Sequence, residues 1–205
     1  MSDSVFAIVA LVVVTGGVLF AVQLIAFRIL RIVLRFLIAI AAVAAIFVYL
    51  QPDTFEVSRT ALIAAPPARV FAQVNDFRKW EAWSPWAKLD PQAKTSYEGP
   101  AAGQGAVLRW SGNRNVGEGS NTIVESVPDQ RIRIRLDFLR PMQGTNDVEF
   151  AFLPEGAGTR VTWSMKGKNS FVGKAMTLVL HCDKMVGTQF EQGLADLAAA
   201  AGASS

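Results

Sequence analysis

The beginning of this chain constrains its fold more than any other feature: from Val5 to Leu50 only three side chains, Arg28, Arg31 and Arg35, carry a charge. A stretch this long exceeds the helices of ordinary soluble cores, and a bilayer needs roughly 20 consecutive apolar residues to be crossed. Two runs flank the arginines. Val5 to Phe27 is long enough to span. Phe36 to Leu50 alone is short, but it becomes long enough when counted from Ile29, provided that Arg31 and Arg35 snorkel towards headgroups. The start, Met1-Ser2-Asp3-Ser4, lacks the basic n-region of a signal peptide. The expectation is a membrane anchor over 1–51, a helical hairpin of about 5–27 and 29–50 that bends near Arg28 to Arg35. The alternative is one spanning helix ending at Tyr49, with the first run as a hydrophobic extension. Arginines stay on the cytoplasmic side, and both flanks of the anchor lack positive charge. The rest of the chain is therefore expected on the non-cytoplasmic face of a bacterial-type inner membrane.

Residues 52–205 are about the size of one domain. The chain has 20 basic and 17 acidic residues; Asp3 and the three arginines lie in the anchor, which leaves 17 against 16. A domain so near neutrality offers no electrostatic footprint for nucleic acid. One cysteine, Cys182, excludes an intramolecular disulfide, and with the single histidine, His181, it makes a poor zinc site. No metal and no cofactor are expected. There is no Gly-x-Ser-x-Gly elbow and no convincing Cys/His pair for nucleophilic catalysis.

The domain opens with a β-prone stretch, Phe55 to Ile63. Pro66 and Pro67 mark a helix start, where a missing N–H does no harm, and Val70, Phe71, Val74 and Phe77 follow at helical spacing. Asn75-Asp76 can cap a second short helix bearing Trp80 and Trp83, which must end before Pro85. The period then changes to two. Ile132, Ile134, Leu136 and Phe138 alternate with charged residues and face inward, as do Val148, Phe150 and Phe152, then Val161, Trp163 and Met165. Shorter strands are expected near Lys94–Glu98, Ala106–Trp110 and Ser120–Val127. A closing helix from about Val172 to Ala199 carries Val172, Met176, Val179, Val186, Phe190, Leu194 and Leu197 on one face. Residues 200–205 read as a frayed tail. The class is α+β, with a curved antiparallel sheet against one long helix.

The β-α-α-β(6)-α order resembles the helix-grip fold of the SRPBCC superfamily, which includes START-like lipid carriers, and more narrowly its polyketide cyclase/dehydrase and lipid-transport group. The stretches that carry the resemblance are Ile63-Ala64-Ala65-Pro66-Pro67, Asn75-Asp76-Phe77, Trp83-Ser84-Pro85-Trp86, Gly117-Glu118-Gly119-Ser120 and Asp183-Lys184-Met185-Val186-Gly187. Together they cover nearly all of Phe55 to Leu197, so the domain is placed at 52–199. The resemblance implies a cavity between sheet and C-terminal helix, suited to an apolar ligand.

Candidate lining residues are Trp80, Trp83, Trp110, Phe138, Phe150, Phe152, Trp163, Met176, Val179, Asp183 and Phe190. Indoles combine large apolar area with one N–H donor, which suits a lipid or polycyclic guest, and they serve equally well as packing between helices and sheet. Asp183 falls on the apolar face of the closing helix. A carboxylate there either pairs, with Arg109 for instance, or acts on a ligand as hydrogen-bond partner or general acid–base, which makes it the best catalytic candidate. Glu118, Ser120, Asn121 and Glu125 share one candidate strand with ambiguous phase. Arg131, Arg133 and Arg135 form a basic row that reads either as a solvated face or as a contact for anionic headgroups. The leading expectation is a membrane-anchored domain that binds a lipid, quinone or polyketide-like molecule. A cyclase, dehydratase or hydrolase using a cavity acid, and a protein-interaction module with a vestigial cavity, are the alternatives.

Overall fold

The structure is a computed structural model that describes residues 2–180 and 182–203. It divides into two compact units, Met1–Gln51 and Pro52–Ser205.

The first unit is a single helix, α1 (Ser2–Tyr49), without interruption. The expected bend near Arg28 to Arg35 is absent. That segment contains no proline or glycine, and its Ile, Leu, Val and Arg residues keep the i→i−4 ladder running. The stretch Val22–Tyr49, 28 residues, is long and apolar enough to cross a membrane. At 1.5 Å per residue it measures about 42 Å, more than the ~30 Å hydrocarbon core. Arg28, Arg31 and Arg35 share one face by their i, i+3, i+7 spacing, and the Arg31 guanidinium lies 4.3 Å from the Phe27 ring centroid.

The second unit is a seven-stranded antiparallel sheet in the order β1-β7-β6-β5-β4-β3-β2. Its strands are β1 (Thr54–Ile63), β2 (Lys94–Glu98), β3 (Val107–Ser111), β4 (Glu118–Val127), β5 (Arg131–Arg140), β6 (Gly144–Glu155) and β7 (Gly158–Lys168). Between β1 and β2 come α2 (Pro67–Val74), a 3-10 turn (Phe77–Lys79), α3 (Trp80–Trp83) and α4 (Pro85–Leu89). Pro67 occupies the first turn of α2, and the Asp76 carboxylate accepts from the Arg78 N–H at 2.9 Å to start the 3-10 turn. Ser84 is extended ahead of Pro85 (φ −68°, ψ 125°), which stops α3 and starts α4. Two indoles then fasten α3 to the end of α2: Trp80 Nε1 donates to Val74 O at 2.9 Å and Trp83 Nε1 to Gln73 O at 3.2 Å. These bonds satisfy carbonyls that a helix end leaves without intrahelical partners.

The closing helical stretch consists of α5 (Phe171–Leu180) and α6 (Cys182–Ala203), with His181 outside the described residues. α6 packs along β1 and over α2, α3 and α4. Gly193 permits this approach, because a Cβ there would meet Trp163 Cζ3 at 2.7 Å and Pro85 at 3.1 Å. The expected frayed tail is instead helical through Ala203. Ala201 is fully buried and continues the Leu194–Leu197 face at the i+4 step, and alanine is the strongest helix former. The expected uniform apolar face also changes along the stretch. Phe190, Leu194 and Leu197 are buried, whereas Phe171, Val172, Met176 and Leu178 are exposed.

Candidate functional site

Cross-strand register sorts the inner face of the sheet into tiers, since directly opposed residues point to the same side. The deepest tier is aromatic. Trp163 stacks on Phe190 (centroids 4.2 Å, 8° between planes) and on Phe150 (4.7 Å, 30°). Trp83 meets both Phe150 and Trp163 edge-on, at 6.0 and 5.7 Å, and Trp80 joins through Trp83 and Phe150. Phe152 packs on Phe71 at 5.6 Å. All these rings are buried. The structure thus brings together Trp80, Trp83, Phe150, Trp163 and Phe190, each other's packing partners and the centre of the core.

The next tier crosses β1, β7, β6, β5 and β4 as Val57, Met165, Val148, Ile134 and Ile123, all buried. Above it lies a row of different character: Phe55, Gly167, Asn146, Leu136, Asn121 and Leu108, paired in that order. Every member is half-buried. Last comes Phe138, opposite Gly119, which is opposite Trp110. A Cβ on Gly119 would lie 2.7 Å from the Trp110 ring, so this glycine makes room for the indole. Trp110 meets Phe138 edge-on at 5.9 Å and donates from Nε1 to Val116 O at 3.2 Å. These upper tiers are half-buried rows of apolar side chains with two amides among them. Neither Asn121 nor Asn146 hydrogen-bonds a described residue through its side chain.

Among the sequence-derived candidates, Trp110 and Phe138 therefore belong to these upper rows, while Trp80, Trp83, Phe150, Phe152, Trp163 and Phe190 lie in the packed tier beneath them. Met176 is exposed on α5. The side chains of Val179 and Asp183 lie outside the described residues. Arg109, considered as a partner for Asp183, pairs with Glu98 at 2.7 Å, and its hydrogen bond holds the Glu98 carboxyl below its ordinary range. Of the four candidate polar residues on β4, Glu118, Ser120, Asn121 and Glu125, Asn121 alone joins the inner row. Glu118 pairs with Arg140, Glu125 with Arg131, and Ser120 opposes Asp137 on the other face.

The basic row of β5 is neutralised on the outer surface. Arg131 reaches Glu125 at 2.5 Å, Arg133 reaches Glu125 and Glu149 at 3.5 and 3.9 Å, and Arg135 reaches Asp137 at 3.0 Å. The Arg131 hydrogen bond lowers the Glu125 pKa. This is a ladder of ion pairs, cross-strand at Arg131 and Arg133 and within β5 at Arg135–Asp137, with little charge left over for headgroups.

Asn146, Leu108 and Phe55 escaped the sequence reading. Asn146 is in phase with Val148 and Phe150, so extending that alternation by one step would have found it. Phe55 and Leu108 carry no local mark, because their membership depends on strand pairing. One core detail was also invisible: the Trp163 indole N–H is buried with no hydrogen-bond partner among the described residues, whereas those of Trp80, Trp83 and Trp110 all have one.

Solved structures share this fold. They include TTHA0849 from Thermus thermophilus (23% identity, TM-score 0.52, covering 74% of this chain and 100% of that one). MLL2253 from Mesorhizobium loti matches at 12% identity and TM-score 0.55, over 74% and 99% of the two chains. CV1439 from Chromobacterium violaceum matches at 19% and 0.51, over 73% and 96%. At these identities the likeness concerns the fold alone. A search of curated proteins gives no match. The family model described as "Polyketide cyclase / dehydrase and lipid transport" matches residues 54–202, from the first strand to the end of α6, and the chain belongs to that family.

Proposed function

We propose that the domain beginning at Pro52 binds one hydrophobic small molecule, a lipid, quinone or polyketide-like compound, in the bay formed by the upper tiers of the sheet. One observation carries the reading: Asn121 and Asn146 face inward on either side of Leu136, half-buried, without a side-chain hydrogen bond to any described residue. Ligand sites combine apolar walls with a few placed polar groups, and each amide offers both donor and acceptor. The two asparagines stand two strand spacings apart, about 10 Å between backbones. That separation suits an oxygenated ring system better than an acyl chain with one polar end. Phe55, Leu108, Trp110, Leu136 and Phe138 supply the apolar area, worth roughly 25 cal/mol per Å² before ordering costs. Among the described residues these rows hold no carboxylate, imidazole or thiol, which favours binding over turnover.

Helix α1 anchors this domain in a membrane, and Arg28, Arg31 and Arg35 mark the cytoplasmic end of the span. The bay then lies on the opposite side, supplied with ligand from the lipid phase. The test is solvent extraction of the purified full chain followed by mass spectrometry, together with titration by decylubiquinone read through indole quenching. A co-purified oxygenated hydrophobe and saturable quenching, weakened in Asn121→Leu/Asn146→Leu, are expected. Non-saturable quenching identical in the double variant, with empty extracts, would overturn the proposal.

A further inference from the structure

α5 exposes large apolar side chains and buries a lysine. At 100° per residue, Leu178, Phe171, Ala175, Val172 and Met176 occupy one continuous arc of about 160°. Phe171 (53%), Val172 (55%), Met176 (36%) and Leu178 (39%) are exposed along it. Just outside that arc, about 40° beyond Leu178, Lys174 is only 7% exposed and reaches the Asp53 carboxylate at 2.5 Å. Burying a lysine while four large apolar side chains stay in water runs against the usual partition of a surface helix. The arrangement is coherent if the outer medium is not water.

The position of α5 identifies that medium. Its leading residue Asn169 donates from its backbone N–H to Asp53 O at 2.8 Å and from Nδ2 to Pro52 O at 3.4 Å. Both carbonyls belong to the first two residues of the domain. Only Leu50 to Asp53 separate the end of α1 from β1, a reach of at most about 18 Å from Tyr49 to Thr54 at 3.3–3.6 Å per residue. A helix tied to Pro52 and Asp53 cannot stand far from the membrane that the preceding segment enters. The Lys174 ammonium also offsets the one acidic charge at this junction.

We infer that α5 is an interfacial helix: its Phe171–Val172–Met176–Leu178 face inserts into the headgroup–acyl boundary of the bilayer that α1 spans. This inference rests on the anchor proposed above, and the experiment separates the two. The full chain, with Cys182→Ala, is reconstituted in phosphatidylcholine/phosphatidylglycerol (3:1) vesicles. A single cysteine labelled with the environment-sensitive dye NBD replaces Val172, Ala44 or Asn115 in turn. Quenching by nitroxide-bearing lipids and by aqueous iodide is then compared. The Ala44 label reports the anchor, and Asn115, on an exposed turn, is the solvent control. At Val172 the expected result is lipid-nitroxide quenching several-fold above that at Asn115, with iodide quenching correspondingly reduced. Adding Phe171→Ser and Met176→Ser should return the Val172 label to the control values while Ala44 stays buried in lipid. A Val172 label indistinguishable from Asn115, with Ala44 lipid-quenched, overturns the interfacial helix and leaves the anchor standing. An Ala44 label open to iodide overturns the anchor itself.

Discussion

Replacing Trp83 and Trp163 separately by phenylalanine should have unequal effects, and the orphaned indole N–H is the reason. Both rings are buried, at 0% and 2% exposure. Both sit in the same aromatic cluster, so trimming indole to phenyl removes similar ring volume from similar surroundings. What differs is the donor. At Trp83 the change deletes a hydrogen bond to Gln73 O, worth about 1 kcal/mol net. At Trp163 it deletes a buried N–H that has no acceptor among the described residues, and leaving such a group unpaired costs about 1–3 kcal/mol. Trp83→Phe is therefore expected to be the more destabilising by about 2–4 kcal/mol. At about 2–4 °C per kcal/mol for a chain of this size, its Tm should lie about 4–16 °C lower. Thermal unfolding of the full chain in one fixed detergent, followed by near-ultraviolet circular dichroism, measures the difference. A Trp163→Phe variant that loses as much stability as Trp83→Phe would refute the reasoning and show that Trp163 Nε1 finds an acceptor in solution.

Gly193→Ala gains helix propensity, about 1 kcal/mol, but the new methyl meets Trp163 and Pro85 at an overpacking cost of about 1–3 kcal/mol, so a net loss of up to about 2 kcal/mol is expected rather than a gain; Tm is the readout. Asn121→Leu/Asn146→Leu should leave Tm unchanged or raised while lowering affinity for an oxygenated ligand by roughly 5- to 150-fold, at about 0.5–1.5 kcal/mol for each of two lost hydrogen bonds. Lys174 holds the Asp53 carboxyl below its ordinary value of 3.8, chiefly through their hydrogen bond. A carboxyl lowered on folding contributes stability above that value and loses it as pH falls through its folded pKa. Hydrogen exchange in α5 should therefore quicken only below about pH 4, and Asp53→Asn should show the quickened rate at neutral pH as well. An α5 whose exchange is the same in Asp53→Asn would show that the pair does not hold the helix.

The sequence determined its own division into an apolar leader and one α+β domain, because a long charge-poor run and a strict two-residue alternation are local signals. The inward residues of β5 to β7 were legible for the same reason, from Ile132 to Met165. Tertiary structure decided which of those inward residues are fully buried and which stay half-buried. Leu136 and Ile134 look alike in sequence, but only Ile134 opposes Ile123 and Val148 in the buried tier, whereas Leu136 stands between two asparagines. Helix α5 is a sharper case. Val172, Met176 and Phe190 share one helical periodicity, and no periodicity can say whether an apolar face meets protein or another medium. Continuity of α1 likewise follows from a backbone ladder that charge patterning does not encode. Period and composition fix what each segment can bury; which neighbour it is buried against is a property of pairing across the whole chain.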